Sequence, residues 1–393
     1  MQWTDLFYFL LAVLLFWGSS ACGRAEWNED YTSLRQTKIL QGIAALGVAL
    51  HHMAQKTCAP WHAARYIVHG LDVFVPVGYL FVAVFFFCSG LGLYKSVKAK
   101  PDYLHGFARR RILPMVIAFY LSEFIHLLVR AAMGEAMGLR EVLWYLTGLH
   151  MANQNAWYLI VIPFFYLVFY LAFRFSRSDR TAILWVTLAV LLYTLLGALI
   201  DHQSVWWMRG EWWYNTVILF PLGMAFGCHE QALTALLRRR YWFWLCFSLA
   251  MTVVLYRLSV LLTEQLWGYY GETWGDPLKV PHRLGCAVSQ WLVCICFVTF
   301  CFLASMKLRL GNRALVFLGG MTLELYLMHG IFVELFGYSF YDLAPSLYYI
   351  RSVPLYILAV AVCSVPAALL FRLLWKRTVK VLLPEKKDAA FLG

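Results

Sequence analysis

The chain has 393 residues, 62% hydrophobic, 18% aromatic and only 14% charged, with mean hydropathy +0.65 and formal charge +12. Soluble domains hold nearer half apolar and a quarter charged residues, and disordered chains are rich in polar tracts, so both classes are excluded. The Lys and Arg residues sit between apolar runs and not in a basic domain, which argues against a nucleic-acid partner. What remains is a protein of the lipid bilayer, and the pattern predicts an all-α, polytopic transmembrane helical bundle.

Eleven apolar runs approach the roughly 20 residues that a span needs. They cover residues 4–20, 39–54, 73–94, 113–130, 157–174, 182–200, 212–228, 241–262, 285–304, 315–336 and 353–374. The first is followed by the small residues Gly18 to Ala21 but lacks the basic n-region of a signal peptide, so it is expected as a retained helix. Of the 33 Lys and Arg, 24 fall in one set of alternate loops. The other nine are Lys56, Arg65, Arg130, Arg140, Arg209, Arg257, Lys279, Arg283 and Arg351. By the positive-inside rule the C-terminus is cytoplasmic and, with eleven spans, the N-terminus is outside. The expected organisation is a transmembrane helix and cytoplasmic linker over 1–36, a membrane domain over 37–376 and a basic cytoplasmic tail over 377–393.

The ten cysteines lie mostly inside apolar runs, where a thiol behaves as a small hydrophobe, and none shows zinc-like spacing. No metal is expected. Walker loops, dinucleotide fingerprints and nucleophile elbows are also absent from the sequence.

Titratable groups inside apolar runs are costly and mark functional candidates. They are His51 and His52 in the second run, Glu123 and His126 in the fourth, and Glu324 and His329 in the tenth. Counting about 1.5 Å of rise per residue, His52, Glu123, His126 and His329 fall in one layer of the outer half of the membrane. His51 points about 100° from His52, and a packing role is expected for it. Glu123 and His126, three apart, share a helix face.

Several stretches in order carry a resemblance. They are TKILQGIAALGVALHHM (37–53), FFFCSGLGLYK (85–95), FARRRILP (107–114), AWYL (156–159) and LGGMTLELYLMHG (318–330). The series resembles the integral-membrane acyltransferase family 3, whose members transfer acyl groups, often acetyl, to extracytoplasmic carbohydrates. That resemblance implies a ten-helix core with the first run as an addition. It also implies that His52 is the essential histidine, with a basic residue eleven positions earlier, where this chain has Gln41 and, one turn before it, Lys38. Ser89 and Gly90 match the family's turn, and Arg109, Arg110 and Arg111 match its basic loop. Trp157 and Tyr158 match its aromatic pair, and Thr322, Glu324, Tyr326 and His329 match its late motif.

Acyl transfer from a thioester to a hydroxyl needs a base, and an imidazole suits that role at neutral pH. His52 is therefore expected as the base, with Glu123, nearest by depth, orienting it. The resemblance implies acyl-coenzyme A, acetyl-coenzyme A foremost, as donor. Arg109 to Arg111 would hold its phosphates, where such a run otherwise serves only to fix topology. Ser89 and Gly90 would lie beside its arm, although small residues in membranes more often serve helix packing. Gln41, His126, Trp157, Tyr158, Glu324, Tyr326 and His329 are expected to contact substrate. The acceptor is expected to be an extracytoplasmic glycan or glycolipid at the plasma membrane, reached directly or through a glycan-assembly partner. Trp206, Trp207, Trp212 and Trp213 flank an outer loop and offer an acceptor groove, although interfacial belts explain most such rings. A second reading is a proton-coupled transporter or flippase, with His and Glu as relays. The sequence shows no second copy of the histidine-bearing patterns, as repeated transporter halves would.

Overall fold

The computed structural model describes residues 3–148, 150–200, 208, 210–267, 277–340, 343–346 and 348–384. The helices, in order, are α1 (Trp3–Phe16), α2 (Leu34–Thr57), α3 (Gly78–Ala99), α4 (Leu113–Ala132), α5 (Leu139–Thr147), α6 (Tyr158–Phe175) and α7 (Asp179–Leu199). They continue with α8 (Leu219–Cys228), α9 (Glu230–Arg239), α10 (Tyr241–Val260), α11 (Lys279–Lys307), α12 (Arg313–Gly319), α13 (Thr322–Phe336) and α14 (Val353–Leu382). Among the described residues, two antiparallel strand pairs join loops: β1 (Ser20–Ala21) with β2 (Leu308–Arg309), and β3 (Ser339–Phe340) with β4 (Leu343–Pro345).

Among the described residues, seven helices are long and apolar enough to cross a bilayer, built on α3, α4, α6, α7, α10, α11 and α14. The protein is a multi-pass, all-α membrane bundle. The run 315–336 is not one straight helix: α12 and α13 meet at 86°. Gly319 explains the break, because its backbone lies against α2 where a Cβ would meet the Lys38 carbonyl at 1.8 Å. Gly42 returns the contact, with room for no side chain against Leu315 O at 2.4 Å. Two backbones that close hold the turn in place, and the N–H groups of Gly320 and Met321 close the last turn of α12.

Three other runs also differ from simple spans. α1 stops at Phe16, two residues before Gly18 takes a left-handed φ of +72° and leads into β1. α2 extends from Leu34 to Thr57, capped by Ser33, whose hydroxyl accepts the Gln36 N–H. Its Lys38, His51, His52 and Lys56 set it apart from a plain lipid-facing helix. The run 212–228 opens as a 3₁₀ turn at Glu211–Trp213 and becomes α-helical only at α8. Asn215 and Thr216, residues that compete with the helix for backbone hydrogen bonds, lie buried between the two.

Contacts pair loops within each alternate set. At one end Arg238 meets Glu29 at 2.7 Å, Lys95 meets Glu230 at 2.9 Å, Lys98 meets Asp179 at 2.6 Å, and β1 meets β2. At the other, Lys56 meets Glu334, and Arg283 donates to the carbonyls of Ala198 and Ile200. The first is here called the basic end.

α2 lies at the centre, packed on α3, α12 and α13 through buried Gly42, Ala44, Ala45, Gly47 and Val48. α7, α10 and α14 present exposed Leu, Val and aromatic side chains outward, as a lipid-facing shell requires.

Candidate active site

The site begins where α2 and α13 cross. His52 Nδ1 lies 2.7 Å from His329 Nε2, and the two rings are nearly coplanar, 6° apart. His329 Nδ1 in turn lies 2.8 Å from the Leu325 carbonyl, which can only accept, so that nitrogen carries the proton. In the neutral pair His329 Nε2 is then an acceptor, and His52 Nδ1 must donate to it. The remaining His52 nitrogen, Nε2, is left with its lone pair free on a partly buried ring, whereas His329 is buried. Two helices and one carbonyl thus select the tautomer that a general base requires.

His51 takes the packing role. Its Nδ1–H donates to the Phe74 carbonyl at 2.9 Å, and its ring fills the space that a side chain at Gly78 would occupy.

Glu123 is not the group that orients His52. Its buried carboxylate accepts the N–H groups of Ala152 at 2.6 Å and Asn153 at 3.1 Å, fastening the segment before α6 onto α4. The face of α4 that carries Glu123 looks toward that segment. His126, one turn on, donates through Nδ1 to Ser122 O, and its buried Nε2 has no hydrogen-bond partner among the described residues. Asn153 donates to Ser122 Oγ and to Leu327 O, both at 3.2 Å, and its Oδ1 accepts the Asn155 N–H. Tyr326 donates its hydroxyl to Asn155 O, and Gly330 leaves room for the Asn155 amide. Ser122, Asn153 and Asn155 went unnoticed in the sequence, where the only signal was a polar ANQN stretch before an apolar run.

Toward the basic end, a series of contacts runs from His329, aromatic except where Ser89 joins two tyrosines. Its ring lies 6.3 Å from Tyr326, which lies 6.0 Å from Tyr158. The Tyr158 hydroxyl is 3.4 Å from Ser89 Oγ, and Tyr166 also faces Ser89. Phe107 and Tyr103 continue the column from Tyr166, and the Arg111 guanidinium lies 5.9 Å from the Tyr103 ring. Trp157 packs between Tyr158 and Trp213, a core position. Trp206 and Trp207 lie outside the described residues.

Gly90 takes the helix-packing role. It is buried against α8, where a Cβ would stand 2.0 Å from Phe220 O, and Gly223 of α8 reciprocates against Phe87 O. The close approach is made by a helix.

The three arginines sit exposed in the turn before α4 and are not equivalent. Arg110 donates to the carbonyls of Tyr103 and His105 and so shapes the loop. Arg109 and Arg111 form no ion pair among the described residues, and Arg111 lies within electrostatic reach of Lys38. Lys38 also feels Glu324 and Arg372, and Arg372 Nε is 3.5 Å from Glu324 Oε1. Gln41 is half-buried on α2 between this cluster and the histidine pair.

A family model described as an acyltransferase domain, that of the acyltransferase 3 family, matches residues 37–373. No curated protein and no solved structure matches.

Proposed function

The chain belongs to the acyltransferase 3 family, and from that premise we propose that it moves an acyl group from cytoplasmic acyl-coenzyme A to a hydroxyl of an extracytoplasmic glycan or glycolipid. His52 is the general base, acetyl the group transferred, and the plasma membrane, with a cytoplasmic C-terminus, the location. The observation that carries this reading is the His52–His329 hydrogen bond, which leaves the His52 Nε2 lone pair free in the middle of the bundle.

In this reading His52 Nε2 takes the proton of the acceptor hydroxyl as its oxygen bonds to the thioester carbonyl carbon. Collapse of the tetrahedral species breaks the carbon–sulfur bond, and His52 returns the proton to the leaving thiolate. The products are an ester and free coenzyme A. While His52 is protonated, its Nδ1–H bond to His329 strengthens, because the donor is then charged. His329 does here what a carboxylate does in a hydrolase triad, holding the ring and its tautomer, with the Leu325 carbonyl behind it.

Arg109 and Arg111 hold the donor's phosphates at the basic end, a role that suits uncommitted guanidinium forks. The column from Tyr103 to Tyr326 lines the way of the flexible arm to His52. Lys38, one turn from Gln41, supplies the charge that the family places at the glutamine position. The acceptor comes from the opposite end.

The test is release of free coenzyme A by protein in proteoliposomes supplied with acetyl-coenzyme A and cell-envelope glycan. His52→Ala is expected to lower kcat about 10²- to 10⁴-fold. Arg109→Ala with Arg111→Ala is expected to raise the donor KM with little change in kcat. Full activity in His52→Ala, or no binding and turnover of either acetyl- or succinyl-coenzyme A by folded protein, overturns the reading.

A further inference from the structure

The loops that leave the two histidine-bearing helices meet each other at the end opposite the basic one. α2 leads into residues 58–68 and α13 into residues 337–340, with residues 348–351 before α14. His62 joins them: its Nε2–H donates to the Gln55 carbonyl and its Nδ1 accepts the Tyr338 hydroxyl at 2.9 Å. Tyr66 stacks on Tyr338 with centroids 5.0 Å apart, and the Arg65 guanidinium lies 4.8 Å over Tyr66. Beneath the joint is a narrow crevice whose wall includes Lys56, Tyr66, Tyr349 and Arg351. Lys56 is one helical turn beyond His52 on the same face of α2, about 6 Å along the axis. Trp61, 64% exposed, stands beside His62 at the edge of this rim.

The charges here are informative because basic residues are scarce at this end, nine against 24. Several of the nine are committed: Arg130 to Glu135, Lys56 to Glu334, and Arg283 to two carbonyls. Arg65 and Arg351 are exposed and form no ion pair among the described residues. They stand on the two loops that meet above the histidine pair.

We propose that this rim is the acceptor-docking subsite and that it takes an anionic saccharide. A sugar face stacks on the exposed Trp61 ring, and the sugar's carboxylate pairs with Arg65 and Arg351, whose planar forks suit a carboxylate. A hydroxyl of the neighbouring ring then points past Lys56 toward His52 Nε2. The assignment of this rim to an acceptor rests on the acyltransferase reading, and its charge preference rests on the rim alone.

The experiment uses the full chain in nanodiscs of zwitterionic lipid, titrated calorimetrically with trigalacturonate and with maltotriose. Acetyl-coenzyme A turnover is assayed on the same sample. Trigalacturonate is expected to bind at least tenfold more tightly than maltotriose. Arg65→Gln with Arg351→Gln removes that preference while leaving the melting temperature unchanged, since both side chains are exposed. Trp61→Ala weakens both sugars. Equal binding of the two sugars, no binding of either, or a preference that survives the double variant overturns the subsite. A preference abolished by adding anionic phospholipid to the wild-type disc overturns it too, because the rim then reads lipid charge. Coenzyme A turnover with no sugar preference leaves the acyltransferase reading standing, and an Arg-dependent preference without turnover leaves the subsite standing alone.

Discussion

Lys56 Nζ lies 2.7 Å from Glu334 Oε2, so the two helices that share the His52–His329 bond are tied a second time, one turn farther along α2. Lys56 also donates to Ser339 O at 3.3 Å. Both side chains are largely buried, so removing one partner leaves a charged group short of a bond, at a cost of about 1 to 3 kcal/mol. Lys56→Met and Glu334→Gln should each lower the melting temperature and the rate of acyl transfer. The exchanged pair, Lys56→Glu with Glu334→Lys, should recover part of both. A double-mutant cycle with no coupling energy would make the pair a bystander.

In the proposed reaction His329 acts through His52, as a positioning residue. His329→Phe removes the acceptor for the His52 Nδ1–H and should cost nearly as much as losing the base, about 10²- to 10⁴-fold in kcat. His329→Gln keeps an acceptor oxygen near the same place and should retain a measurable share. The donor KM should hold in both. Equal losses from Phe and Gln would show that hydrogen bonding to His52 is not what the residue provides.

Glu123 accepts two backbone N–H groups of the segment before α6. Glu123→Ala should therefore lower thermal stability and expose residues 150–157 to proteolysis, with activity falling in step. Each stranded amide costs about 1 to 3 kcal/mol. Glu123→Gln, which retains one acceptor oxygen, should fall between. If activity vanishes while stability and protease resistance stay normal, the carboxylate takes part in the chemistry.

Burial holds the His62 imidazole below its usual 6.5, with the nearby Lys56 charge pushing the same way and the Gln55 carbonyl opposing. The folded state therefore prefers the neutral ring. The stability from this joint is complete above about pH 6.5 and is lost as pH falls below it, because the unfolded chain takes up the proton first. Wild-type protein should lose melting temperature between pH 6.5 and 5 faster than His62→Gln, which keeps a donor and an acceptor without titrating. Parallel curves would remove His62 as the titrating group.

The acyltransferase likeness was legible because its pieces are local strings, and TKILQGIAALGVALHHM or LGGMTLELYLMHG can be recognised without knowing what they touch. Gly90 shows the limit of that reading. A Ser-Gly turn is compatible with a ligand or with a helix, and the Phe220 carbonyl decided for a helix. Arg109, Arg110 and Arg111 read as one basic run, yet the carbonyls of Tyr103 and His105 single out Arg110.

By itself the sequence determined that this chain is a membrane helical bundle, which runs are apolar and how its charges divide between two ends. These follow from partition between water and lipid, a property that each short segment carries alone. Rise along an unbroken helix can also be counted residue by residue, but the count fails for His329, whose run turns by 86° before reaching it. Rotation about each helix and the identity of its neighbours could not be counted. His52 and His329 are 277 residues apart and meet because glycines on α2 and α12 let two backbones touch and turn the chain by 86°. Glu123 was turned by packing toward a different segment, so only the tertiary structure could make the partner of His52 a second histidine.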